Sequence, residues 1–179
     1  MDFRYLGLSG LKVSSYCLGT MTYGETTEEN DAHLQISEAF SSGINFIDTA
    51  EMYPTCPIRK ETSGETEKII GNWINNNKDK RKDIILATKV VGNGFKYIRN
   101  GGPITKETIK VALHGSLKRL KTDYIDLYQL HWPNRGSYHF RSYWNYKPEK
   151  QDSKNITDEF LDIINTLNDF KKEGLIRAI

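Results

Sequence analysis

Ile84-Ile85-Leu86-Ala87-Thr88-Lys89-Val90-Val91 is an almost unbroken apolar run with a single lysine near its end. A strand with one wet face alternates apolar and polar residues. This run does not, which suits a parallel strand covered on both faces. Similar runs flank it. Upstream lies Ile44-Asn45-Phe46-Ile47-Asp48, downstream Tyr124 to Trp132, and Leu175 to Ile179 opens a further strand. Cys17-Leu18-Gly19 begins the first. Before it, residues 3–16 read as a β-hairpin turning at Gly7 and Gly10.

Amphipathic segments separate the runs. A T-x-x-E pattern at Thr26–Glu29 predicts a helix start, followed by a stripe of Ala32, Ile36, Ala39 and Phe40 and a C-terminal Gly43. The same pattern at Thr62–Glu65 precedes Ile69, Ile70, Trp73 and Ile74. Thr105 to Leu120 carries Ile109, Ala112, Leu113, Leu117 and Leu120 at helical spacing. Residues 133–156 show no period and read as a long loop, with Tyr138, Phe140, Tyr143, Trp144 and Tyr146 either lining a pocket or packing on a rim. Thr157 is expected to start a last helix, with Phe160, Leu161, Ile164 and Leu167 inward and Gly174 ending it.

Strand and helix alternating with one polarity is the signature of a parallel α/β architecture. Asp48, Lys89 and His131 end successive strands, 41 and 42 residues apart. Eight such units would need more than roughly 300 residues, within the range of large (β/α)8 barrels. No G-x-G-x-x-G follows the first strand, which argues against a dinucleotide-binding doubly wound sheet.

The bulk properties exclude several classes of function. A formal charge of +2 with interspersed signs gives no basic stripe, so no nucleic acid is expected. The run Lys78 to Lys82 reads as a solvated connection. No apolar segment is long enough for a membrane span, and no signal peptide is visible, so a reducing cytoplasm is the expected location. Cys17 and Cys56 have neither framework nor metal-ligand spacing, and Cys17 is expected as a buried thiol.

In a (β/α)8 barrel, chemistry sits at the C-terminal ends of the strands. Asp48, Tyr53, Lys89 and His131 all fall there. Each has a bland alternative: a turn cap, a packed ring, a hydrogen-bonded histidine. Lys89 is the least bland, because a buried ammonium requires a carboxylate, and Asp48 on the neighbouring strand can supply it. Convergence on one rim makes the set a catalytic candidate.

Four segments carry a resemblance: Cys17-Leu18-Gly19-Thr20-Met21, Phe46 to Tyr53, Ala87 to Val90, and Leu130 to Pro133. In this order and spacing they resemble the aldo-keto reductases. The phrases AEMYP, GNWI and SLKRLKTDYIDLYQLHWP are most similar to the Tas-like bacterial branch. The resemblance implies the N-terminal half of a (β/α)8 TIM barrel with a preceding β-hairpin that closes its bottom. Units one to four would span about 17–174 and strand five would open at 175–179.

The resemblance also implies an NADPH-dependent reductase of small aldehydes or ketones. Tyr53 would be the general acid. A free phenol, with a pKa of about 10, is a poor acid at neutral pH, and the Lys89 cation would favour its ionised form, with Asp48 holding the lysine. His131 would orient the carbonyl oxygen. Gly19, Thr20, Met21 and Asp48 would meet the nicotinamide end of the cofactor, and Tyr23 and Trp132 would wall the substrate, either ring being equally suited to the core. Family segments that hold the cofactor phosphates lie beyond residue 179. The expectation is therefore an N-terminal fragment that is inactive alone, binds NADPH weakly and self-associates through open barrel edges. A non-catalytic regulatory member, or two half-barrels pairing into one site, are the other readings.

Overall fold

A computed structural model of the chain describes residues 1–134 and 152–179. The hairpin comprises β1 (Phe3–Tyr5) and β2 (Lys12–Ser14), antiparallel with Phe3 opposite Ser14. Its turn passes through Gly7 and Gly10, at φ 54° and 76°, left-handed backbone that glycine adopts without strain.

Five parallel strands follow in sequential order: β3 (Cys17–Gly19), β4 (Phe46–Asp48), β5 (Ile85–Val90), β6 (Ile125–Leu130) and β7 (Ile176–Ala178). Among the described residues four α-helices connect them: α1 (Glu29–Ser41), α2 (Glu65–Asn76), α3 (Lys106–Leu120) and α4 (Ser153–Lys172). Gly19, Asp48, Ala87, Leu127 and Ala178 stand opposite one another in a single row across all five strands. This is the N-terminal half of a (β/α)8 barrel.

Period-2 alternation divides the core. Leu86 and Val90 turn toward the helices and pack with Ile70, Trp73, Leu113 and Leu167. Ile85, Ala87 and Leu127 turn the other way, onto Leu11 and Val13 of the hairpin. Burying each such side chain is worth about 1.5–3 kcal/mol, so the hairpin is a structural plug rather than an appendage. Asn45 pins it with polar contacts. Its side chain accepts from the Ser14 N–H (2.8 Å) and donates to the Lys12 carbonyl (3.1 Å), and its N–H donates to the Ser14 hydroxyl (3.2 Å).

Two buried carboxylates lock helices to the sheet. Glu67 accepts from the Thr88 hydroxyl (2.6 Å) and from Arg119 Nε (2.7 Å), joining α2, β5 and α3. Asp126 pairs with Arg81 (2.8 Å) and Arg177 (2.5 Å) and accepts the Leu86 N–H (3.0 Å). Arg81 is therefore buried, not solvated like its lysine neighbours, because Asp126 needs its charge.

Several local expectations are corrected. Neither early T-x-x-E pattern forms a capping box. Glu28 and Gly64 take the N-cap positions, neither with a side-chain cap bond, and the Thr62 hydroxyl donates to Glu25 (2.7 Å). A capping box forms instead at α3, between Thr105 and Thr108. Helix α4 starts four residues earlier than expected, because Asp152 accepts from the Lys154 and Asn155 N–H groups. Its inward face is Ile163, Leu167 and Phe170, while Phe160 and Leu161 are exposed. Cys17 is exposed rather than buried, since β3 has a strand neighbour on one side only. Tyr138, Phe140, Tyr143, Trp144 and Tyr146 lie outside the described residues.

Candidate active site

Lys89 follows Ala87 by two residues and so shares its face of the sheet, above the apolar plug. There its ammonium needs compensation. Lys89 Nζ donates to Asp48 Oδ2 at 2.6 Å and to the Thr49 carbonyl at 2.7 Å. The second Asp48 oxygen, Oδ1, accepts from Gln129 Nε2 at 3.1 Å. Gln129 stands directly opposite Lys89 in the β5–β6 register. Three adjacent strands thus close one polar row around the lysine.

Tyr53 enters from the loop after β4. Its hydroxyl lies 3.5 Å from Lys89 Nζ, and the ammonium sits 4.9 Å from the ring centroid. The His131 ring meets the Tyr53 ring edge-on at 5.7 Å between centroids. The His131 N–H donates to the Val90 carbonyl (2.9 Å), which continues the β5–β6 ladder to the rim and aims the imidazole across it. Asp48, Tyr53, Lys89 and His131 therefore converge at one end of the sheet.

The other candidate residues divide. Thr20 is fully buried, its hydroxyl donating to the Asp48 carbonyl (2.8 Å), so it braces β3 against β4. Met21 is exposed, and its carbonyl accepts the Thr55 N–H (2.9 Å). No heavy atom lies within 4 Å of where a Gly19 Cβ would stand. Gly19 therefore faces open space at the edge of the sheet, directly opposite Asp48 in the register. Trp132 is buried at the rim with Ala50, Met52 and Tyr53, its indole N–H donating to the Asn93 carbonyl (3.2 Å). Tyr23 is not on the rim. It lies in the helix-side core, its hydroxyl donating to Gln35 (3.0 Å), and burial pushes that phenol up to about 12. Cys17 stays a thiol: desolvation first, then the Asp48 carboxylate, push it up to about 11.

Gln129, Glu51 and Arg99 were not among the sequence candidates. Gln129 carried a usable signal, being two residues before His131 and so of the same strand parity.

Residues 16–179 match the aldo/keto reductase family. The chain is 42% identical over 182 residues to Protein tas of Escherichia coli (strain K12), covering 100% of this chain and 51% of that protein. It is 38% identical to the uncharacterized oxidoreductase YqkF of Bacillus subtilis (strain 168), covering 99% of this chain and 47% of that protein. Among solved structures, aldo-keto reductase AKR11C1 from Bacillus halodurans (holo form) superposes with a TM-score of 0.71 at 36% identity, covering 100% of this chain and 51% of that one. The chain spans about half the length of the curated relatives it matches.

Proposed function

The chain belongs to the aldo/keto reductase family of oxidoreductases, and from that membership we propose that it carries the proton-transfer side of an NADPH-dependent reductase of small aldehydes or ketones. The observation that supports this best is the contact chain from Asp48 through Lys89 to Tyr53, at 2.6 and 3.5 Å.

Gly19, Met21 and Asp48 would hold the nicotinamide end, and NADPH bound there would supply the hydride. The chain's own residues handle the proton. As negative charge grows on the carbonyl oxygen, the Tyr53 hydroxyl donates its proton to that oxygen. Lys89 places its ammonium 3.5 Å from the oxygen left behind and offsets the negative charge there. Asp48 fixes the lysine in place. His131, edge-on to Tyr53, orients the oxygen, and Trp132 shields this end from water.

The described residues include no Gly-rich phosphate loop or basic cluster at a helix start. This chain by itself is accordingly proposed to bind NADPH weakly and to be inactive alone. Hydride transfer to a panel of simple aldehydes is followed by loss of NADPH absorbance, in this chain and in any longer polypeptide that contains it. Tyr53→Phe and Lys89→Met should each lower kcat by at least about a hundredfold wherever wild-type turnover is seen. Turnover that survives both substitutions would refute the assignment.

A further inference from the structure

The Glu51 side chain bonds none of the groups assigned a proton role, although its backbone N–H donates to the Lys89 carbonyl (3.2 Å), and it is buried two residues before Tyr53. Its carboxylate accepts from three donors. Arg99 Nη2 and the Val91 N–H both reach Oε1 at 2.5 Å, and Arg99 Nη1 reaches Oε2 at 2.6 Å. Arg99 Nη2 also donates to the Val91 carbonyl at 2.9 Å. Val91 follows Lys89 by two residues. One carboxylate and one planar guanidinium therefore join the loop that carries Tyr53 to the strand that carries Lys89.

Tyr53 itself is held loosely where it matters. Its hydroxyl is at the limit of hydrogen-bond reach from Lys89 Nζ, and the ring meets Lys89 and His131 only through face and edge contacts. The ring itself is buried against Ala50, Met52, Val91 and Trp132, so the phenol's position follows from this packing and from the course of the loop that carries Ala50 and Met52. The β4–α2 side of that loop is anchored where the Tyr53 carbonyl accepts the Gly64 N–H (2.9 Å). Arg99 and Asn100 have left-handed backbone, at φ 44° and 58°, in the short 3-10 turn Arg99–Gly101. Non-glycine residues hold such conformations only where surrounding contacts require them. Here the contact is the bidentate fork on Glu51, whose planar geometry fixes direction as well as distance.

We propose that the Glu51–Arg99 pair is a positioning element that sets the Tyr53 hydroxyl relative to Lys89. The proposal deepens the functional reading above and rests on Tyr53 being the proton donor. An Arg99→Lys variant keeps the charge but loses the fork. A Glu51→Gln/Arg99→Met double variant removes both charges together, so no lone ion is buried.

The test uses the chain grown with 3-fluorotyrosine, with the 19F resonances of Tyr53 and Tyr23 assigned through their Phe variants. The expected result in both variants is a shifted or broadened Tyr53 resonance with an unmoved Tyr23 resonance. An unchanged Tyr53 resonance overturns the proposal. So does movement of Tyr53 and Tyr23 together, which marks general loosening. Where wild-type turnover is measurable, kcat should fall by about tenfold to a hundredfold with KM nearly constant, as expected for a misplaced acid. A raised KM with intact kcat would overturn the proposal. If wild-type protein transfers no hydride in any form, the functional reading fails, and the Tyr53 resonance still decides whether the pair positions the ring.

Discussion

Gln129 Nε2 donates to Asp48 Oδ1 across 3.1 Å, from a strand two places away in the sheet. Lys89 takes the other carboxylate oxygen at 2.6 Å, so the aspartate is oriented by two neighbours and cannot rotate to favour one. Gln129→Leu removes the neutral donor and leaves that oxygen to partial solvent. The expected loss is about 0.5–1.5 kcal/mol of stability, measured by urea denaturation. A neutral result would show that the oxygen finds another partner.

Asp126 should be far more sensitive. Its side chain is fully buried with Arg81, which is itself 9% exposed. Asp126→Asn strands that guanidinium, at a cost of about 3–5 kcal/mol in the same assay. An Asp126→Leu/Arg81→Met variant should recover only part of the loss, because it removes the buried ion pair together but still leaves the Leu86 N–H and Arg177 without their acceptor.

Alkaline pH should weaken the fold in a defined window. Burial raises the Tyr23 phenol from 10.0 to about 12. Cys17 is exposed as a residue, but partial desolvation of its sulfur, then the Asp48 carboxylate, raises the thiol from 9.0 to about 11. In both cases the folded state holds its proton more tightly than the unfolded chain. The contribution of these two groups is therefore constant below pH 9, and it falls between 9 and 11 through Cys17 and between 10 and 12 through Tyr23. Thermal midpoints across this range check the trend. Cys17→Ser should flatten the lower part of the decline and Tyr23→Phe the upper part.

Gly71 tests helix packing. A Cβ there would run into the backbone carbonyl of Arg119 and lie 2.8 Å from the Leu120 carbonyl carbon. Neither atom can swing away, since both belong to the last turn of α3. Gly71→Ala should cost at least about 1–3 kcal/mol despite alanine's better helix propensity, read by chemical denaturation.

These sites show which features were legible from the sequence and which were not. Apolar runs such as 84–91 and the helical stripe of 105–120 reported strands and helices directly, because burial on the sheet imposes a period on the chain. Asp48, Tyr53, Lys89 and His131 were legible as a set, since a lysine in an apolar run demands a carboxylate nearby. The start of α3 at Thr105 was legible, but the capping of α1 and α2 was not. Thr62 has the right neighbours for a cap, but Gly64, in left-handed backbone, takes the N-cap position and the Thr62 hydroxyl is held by Glu25. The inward face of α4 was misjudged because Phe160 and Leu161 suit the same period as Ile163 and Leu167, and only the position of the neighbouring strand distinguishes them. Glu51 and Arg99 were invisible for a related reason. Nothing local couples two residues 48 positions apart.

The hairpin has a consequence for how the chain acquires its shape during synthesis. Its residues leave the ribosome before the sheet that covers them, since Leu11 and Val13 are buried against Ile85 and Leu127, which emerge much later. An isolated two-stranded ribbon is marginal in water, so until then it has little to hold it. Asn45 arrives midway and can moor Ser14 and Lys12 by polar contacts before any apolar surface exists to cover the ribbon. Mooring would come first and burial last. Val13→Ala should accordingly speed unfolding while leaving the refolding rate nearly unchanged, and a matching slowdown in refolding would place the hairpin in the nucleus instead.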